Sequence, residues 1–202
     1  MKLYSYVIPR DYGFAPNPFH GYCTLATCKP IIRRVAEIND WIAAFGPKKH
    51  PTEKKLVYLM QVSESLTFDE YWNDERFKYK HPVFNKSTTH KYGDNIYHHV
   101  NGTWIQDPSH HSLKDGMNLI NLNRDTKTNR VLIAEEFYYF GEDAILLPVE
   151  YQSLIWCGRN HGVNYDNVLI EKFIGYIRGQ YSSGIHGFPF SRMPGKFEFY
   201  KG

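Results

Sequence analysis

The sequence predicts one α+β domain, a mixed and strongly curved sheet with short flanking helices and one longer helix near the C-terminus. Five β-prone runs, at residues 2–9, 41–45, 56–62, 130–140 and 144–149, are separated by turn-rich segments. A sustained helical period appears late in the chain, where Ile170, Phe173, Ile174 and Ile177 fall at i, i+3, i+4 and i+7. The 202 residues suit a single core that buries about 70 % of the unfolded surface, and no repeat or linker divides them.

Each element has a local cause. Residues 2–9 form a short strand. The next stretch, 10–21, holds Gly13, Pro16, Pro18 and Gly21, a density that defeats both regular periods and leaves a long irregular loop. Thr27 is placed to cap a helix over 28–36, with Ile31, Ile32 and Val35 on one side. Asn39 and Asp40 mark a turn. The runs 41–45 and 56–62 then pair as a hairpin across the polar loop 46–55. Thr67 and Glu70 have capping-box spacing, which opens a helix to about Asp74 with Phe68, Tyr71 and Trp72 sharing a face. Between 76 and 115 no period persists outside 95–100 and 103–105, which predicts a long functional loop region. Runs 130–140 and 144–149 read as a second hairpin around the turn 141–143. Asn164 or Asp166 caps the last helix, which runs to about Arg178, and 196–200 is a closing strand or a surface wrap.

Composition excludes several classes. Lys and Arg number 24 against 21 Asp and Glu, a net charge of +3 that permits nucleic acid without the strong basic excess of a duplex-coating protein. Three cysteines, Cys23, Cys28 and Cys157, suit free thiols in a reducing compartment, so a cytoplasmic location is expected. No run approaches the roughly 20 apolar residues of a membrane span, and no signal-peptide core is present, so no membrane partner is expected. Phosphate-loop, dinucleotide-fold and serine-elbow motifs are all lacking. Rings make up 16 % of the chain, enough to supply stacking surfaces as well as core.

The loop after the first strand mixes rigid backbone, ring faces (Tyr12, Phe14, Phe19) and single polar groups (Asn17, Thr24, Lys29), the combination that binds a flat heterocycle by stacking and edge hydrogen bonds. Arg33 and Arg34 follow as candidate phosphate ligands, and Lys48, Lys49, His50, Lys54 and Lys55 form a second basic cluster. Trp72, Arg76, Lys80, Asn95 and Trp104 complete the candidate nucleotide-binding set. Asp74, Asp94, His99, His110 and His111 are candidates for acid–base work. Cys28, beside Lys29 near a helix start, is the candidate nucleophile, although a small buried thiol is the commoner fate of such a residue. Histidines crowd residues 81–111, but no HxxxH or HExxH spacing occurs, so no metal and no other cofactor are expected.

Several strings in order, Asp11-Tyr-Gly-Phe-Ala-Pro-Asn-Pro-Phe, Cys23-Thr-Leu-Ala-Thr-Cys-Lys-Pro, Asp40-Trp-Ile, Tyr71-Trp-Asn-Asp-Glu-Arg-Phe and Gly93-Asp-Asn-Ile-Tyr, resemble the nucleotide modification associated domain 2 family. The resemblance implies a link to systems that modify DNA bases and names no reaction. Asn39 stands where Gly would precede the Asp, and Asn is the residue that next best tolerates a positive φ. The order of elements through Val62 also resembles the PUA, ASCH and EVE barrels, which implies a small mixed β-barrel with its pocket between the first loop and the following helix. Three readings follow. The first is a module that recognises a modified base in nucleotide, DNA or RNA, with Phe14 or Trp72 stacking, Asn17 and Asp94 reading the base edge and Arg33, Arg34 and Lys80 holding phosphate. The second is an enzyme that modifies a nucleotide or DNA base, and the third a structural subunit of a phage-defence or DNA-modification system. The oligomeric state is left open.

Overall fold

The computed structural model describes residues 1–192 and 196–199. Its first sheet has the order β1 (Leu3–Val7), β3 (Trp41–Phe45), β4 (Leu56–Gln61), β9 (Phe137–Tyr139), β10 (Gly184–Ile185). β1 lies parallel to β3, β4 runs antiparallel between β3 and β9, and β10 is parallel to β9. A second sheet holds β2 (Cys23–Leu25), β8 (Val131–Ala134) and β5 (Glu64–Leu66), with β8 antiparallel to both neighbours. β6 (Tyr97–Val100) and β7 (Thr103–Gln106) make a separate hairpin. The helices are α1 (Pro30–Val35), α2 (Phe68–Asn73), α3 (Thr88–Lys91), α4 (Leu119–Thr126) and α5 (Asn167–Gln180).

Alternation of side chains across the strands sorts the core into three clusters. Tyr4, Tyr6, Ile42, Met60 and Tyr139 on one face of the first sheet meet Cys23, Leu25, Leu132 and Ala134 of the second, with Ile32 of α1. The opposite face of the first sheet, through Leu3, Trp41, Ala43 and Leu59, packs on Ile170, Phe173, Ile174 and Ile177 of α5. Val131 and Ile133 on the far face of the second sheet meet Phe14, Phe68, Tyr71 and Tyr97. The α+β class and the longer C-terminal helix therefore hold. Among the described residues the sheets are open and no closed barrel forms, so of the expected fold the mixed α+β class is what the structure shows.

The run 130–140 is not one strand. It breaks at Glu135 and Glu136, so that β8 enters the second sheet and β9 the first, and this step binds the two sheets together. The expected hairpin with 144–149 does not form either. Ile145 makes a single bridge to Leu56, Pro148 cannot donate to a ladder, and a 3₁₀ turn begins at Val149. Thr67 and Glu70 do form the capping box of α2, and Asp166 caps α5 through Leu169 N at 3.0 Å. Asn39 adopts φ 71°, the turn conformation expected for it. Thr27 is not the cap of α1. Lys29 takes that place at φ 41°, ahead of Pro30 at the first helical position, and Thr27 Oγ1 is buried without a partner among the described residues. Residues 196–199 form no strand, and Tyr200, the end of the expected one, lies outside the described residues.

Candidate functional site

Two consecutive residues before α1, Cys28 at φ 58° and Lys29 at φ 41°, occupy the left-handed region. Neither is glycine, and such a conformation costs roughly 1–2 kcal/mol per residue, so other contacts must hold it. The Cys28 N–H donates to Asp125 Oδ1 at 3.0 Å, and the Cys28 carbonyl accepts from Arg33 Nε at 2.9 Å. Arg33 is itself fully buried, and its remaining nitrogens donate to the carbonyls of Asp125, Thr128 and Arg130. The turn thus presents the Cys28 sulfur to a cavity of about 370 Å³.

Cys28 Sγ lies 3.7 Å from His111 Nε2, and His111 Nδ1 lies 2.9 Å from Asp125 Oδ2. Sulfur, imidazole and carboxylate stand in series, with the ring nitrogens facing opposite partners. The order is that of a nucleophile, its base and the group that orients the base. Asp125 sits on α4 and also accepts from the Tyr97 hydroxyl at 3.0 Å. The His111 carbonyl is held by Gln106 Nε2 and Asn121 Nδ2, at 3.2 and 2.9 Å. Burial pulls the His111 imidazole down, yet the charge on Cys28, with the Asp125 hydrogen bond, pushes it to about 9. Burial pushes the Asp125 carboxyl up, but its bond to His111 and the nearby His111, Arg124 and Arg33 charges carry it below its ordinary value. His111 is accordingly a cation at neutral pH, and Asp125 an anion.

Above the sulfur the cavity is walled by the rings of Tyr6, Tyr12, Phe14 and His110, with Arg10, Lys29 and Arg124 at its margins. Lys29 Nζ lies 4.1 Å over the Tyr6 ring, and burial lowers its pKa. His110 donates from Nδ1 to the Glu198 carbonyl, and burial draws its pKa down to about 4, so it is neutral near pH 7. Of the residues singled out in the sequence, Tyr12, Phe14, Cys28, Lys29, His110 and His111 therefore line one cavity.

The others do not join them. Asn17, Thr24, Lys80, Asp94 and Asn95 are fully buried. Lys80 Nζ donates to Asn17 O and Oδ1 and to Tyr22 O at 2.9–3.0 Å, while Asp94 accepts from Thr24 at 2.7 Å and Tyr71 at 2.9 Å. Groups committed in this way anchor the first loop, and Asn17, Asp94, Lys80 and Arg33, expected to read a base edge or hold phosphate, do not line the Cys28 cavity. Phe19 is buried under Arg192, and Arg34 is exposed on α1. Trp72 stacks on His98 at 3.7 Å, Asp74 and Arg76 pair with each other and Arg76 with Glu64, and His99 binds Asp69 beneath Trp104. Sequence reasoning missed Asp125, Tyr6, Arg10 and Arg124. Cys28, His111 and Asp125 also offer donor atoms within 4.8 Å of one another. Linear spacing gave no hint of such a cluster because its members come from three separate segments.

A family model described as nucleotide modification associated domain 2 matches residues 1–196 of the 202. The chain belongs to that family. No curated protein and no solved structure matches it. Within this member of the nucleotide modification associated domain 2 family, no helix among the described residues is long and apolar enough to cross a membrane.

Proposed function

We propose that the protein modifies a nucleotide base, free or within nucleic acid, by covalent catalysis at Cys28. The observation that supports this reading is the series Cys28 Sγ, His111 and Asp125 at the floor of a ring-walled cavity, in a family tied by name to nucleotide modification. Tyr6, Tyr12 and Phe14 offer faces for a heterocycle, at about 1–3 kcal/mol per stacked base. In the chemical step Cys28 Sγ adds to an electrophilic carbon of the base or of the group being attached. The sulfur adds as the thiolate paired with the His111 cation, the π electrons of the attacked double bond move to its far atom, and that atom takes the Nε2 proton of His111, which leaves the ring neutral. Asp125 keeps the ring oriented and balances its charge.

Peptide mapping after brief iodoacetamide treatment at pH 7 tests the nucleophile. Cys28 is expected to react at least ten-fold faster than exposed Cys157, and His111→Gln to remove the advantage; equal rates at the two thiols would sink the reading. Nucleoside mass spectrometry of nucleotide pools and DNA after incubation then reads the activity, which Cys28→Ser should abolish and His111→Gln should lower about 10²–10⁴-fold.

The donor cluster favours a second reading, in which Cys28, His111 and Asp125 hold a divalent cation of the zinc class. Against it, Asp125 Oδ1 and Oδ2 already accept from Cys28 N and His111 Nδ1, on the side of the ring away from the sulfur. Stoichiometric metal in the purified protein, lost in Cys28→Ser, would favour this second reading.

A further inference from the structure

The basic loop 46–55 takes no part in the chemistry at Cys28, yet it borders a path that leads there. The Cys28 cavity shares Lys29 and Pro30 with a second hollow of about 280 Å³, whose other wall is Asn160 and His161. Residues 157–159, next along the chain, line a third hollow of about 610 Å³, with Lys48 and Lys54 also on its wall. The strip 157–161 that links the second hollow to the third is laid along the edge of β1 by the paired bonds Ser5 N to Gly162 O, 2.9 Å, and Gly162 N to Ser5 O, 2.8 Å. The three hollows therefore follow one another around that edge.

Charge distinguishes this path. Lys48, Lys54 and Arg159 line its far end, and among the described residues none of their side chains has an ion pair or hydrogen bond. Among the described residues Glu53 is the one carboxylate lining the same hollow, and it accepts from the Lys49 backbone N–H at 2.8 Å. Three exposed cations around a concavity repel one another and raise the local concentration of anions. The first cavity already has the size of a small-ligand pocket, so the further hollows exceed the needs of one nucleotide. A base treated by Cys28 must also leave any helical stack, which leaves its neighbours on the strand outside the cavity.

We propose that the base treated at Cys28 belongs to a single-stranded stretch of nucleic acid whose backbone runs past Lys29 and His161 to Lys48, Lys54 and Arg159. This rests on the reading of Cys28 as the centre of base chemistry and adds the class of substrate. A basic groove that tracks the backbone, together with rings that take a base, is the combination that binds single strands.

Fluorescence anisotropy with labelled mixed-sequence twelve-nucleotide single strands, one DNA and one RNA, tests it, with mixed mononucleotides as competitors. The combined variant Lys48→Glu, Lys54→Glu, Arg159→Glu is expected to bind at least ten-fold more weakly. Its log K against log salt slope should be shallower by about 2, at about 0.7 for each of three lost phosphate contacts. Its rate of Cys28 alkylation should equal that of the wild type, which shows the fold and the site intact. The proposal is overturned if the variant binds the strands as the wild type does, if the wild type binds neither strand, or if mononucleotides compete as well as the strands. The tighter of the two strands identifies the sugar. Two wild-type measurements separate the two readings: strand binding by a protein whose Cys28 shows no alkylation advantage over Cys157 would leave the track standing and remove the covalent step.

Discussion

His111 carries two opposed influences that a single substitution separates. Burial favours the neutral ring, whereas the Cys28 charge and the Asp125 hydrogen bond favour the cation and bring its pKa to about 9. Cys28→Ala removes the first of the two favourable influences while leaving the ring buried beside Asp125. Its titration, followed by NMR of the ring protons, should therefore move down from about 9 in the variant; an unchanged midpoint would mean that Asp125 alone sets it. The sign for stability follows from linkage. A group whose folded pKa lies above its ordinary value of 6.5 contributes stability that is complete below pH 6.5 and is lost as pH rises through about 9. Urea midpoints of the wild type should show that loss between pH 6.5 and 9, and those of Cys28→Ala a smaller one.

At the scale of the element, α4 matters because it carries Asp125. Asn118 caps it, its Oδ1 accepting from Ile120 N at 3.1 Å and Asn121 N at 3.2 Å. Asn118→Ala should lower stability by about 1 kcal/mol in urea unfolding and, by loosening the turn that holds Asp125, slow Cys28 alkylation; destabilisation with an unchanged alkylation rate would uncouple α4 from the site. This helix was invisible in the sequence for a physical reason. Its apolar residues Leu119 and Ile120 are exposed, Leu122 alone among them is buried, and no stripe of 3.6 period marks a core-facing side. α2 and α5 were legible because each has both a cap and an apolar stripe. The run 130–140 was legible as β but not as two strands, since Glu135 and Glu136 show where charge interrupts it and not that the chain changes sheet there. Cys28 was legible as a thiol beside a cation, and Tyr12 and Phe14 as ring faces. The pairing of Cys28 with His111 and Asp125, 83 and 97 residues further on, depends on tertiary contacts that no local pattern records.

Across the whole molecule, Lys80 ties the first loop to the segment before β6. Its ammonium, fully buried, donates to Asn17 O, Asn17 Oδ1 and Tyr22 O, and Gly93 packs so close that a Cβ there would meet the Lys80 carbonyl at 2.1 Å. That loop also carries Tyr12 and Phe14, so the wall of the Cys28 cavity hangs on the same anchor. Lys80→Met keeps the length of the side chain and removes the charge. Three oxygens then lose their donor and Asp94 loses the nearby cation, a change of the kind that costs about 3–5 kcal/mol in a protein interior. The pH dependence of that cost has a definite sign. Burial lowers Lys80 from 10.5 to about 8, so its contribution is complete above pH 10.5 and lost as pH falls through about 8. Burial raises Asp94 from 3.8 to about 6, and Lys80 is the largest influence holding it down. Without Lys80 the Asp94 pKa rises further, and the variant loses more stability than the wild type as pH climbs above about 6. Both effects act in one direction. The difference in unfolding free energy between wild type and Lys80→Met, read from urea titrations at pH 5, 7 and 9.5, should widen in favour of the wild type with each step up in pH. A difference that stays flat across that range would mean that Lys80 acts through its packing and not through its charge.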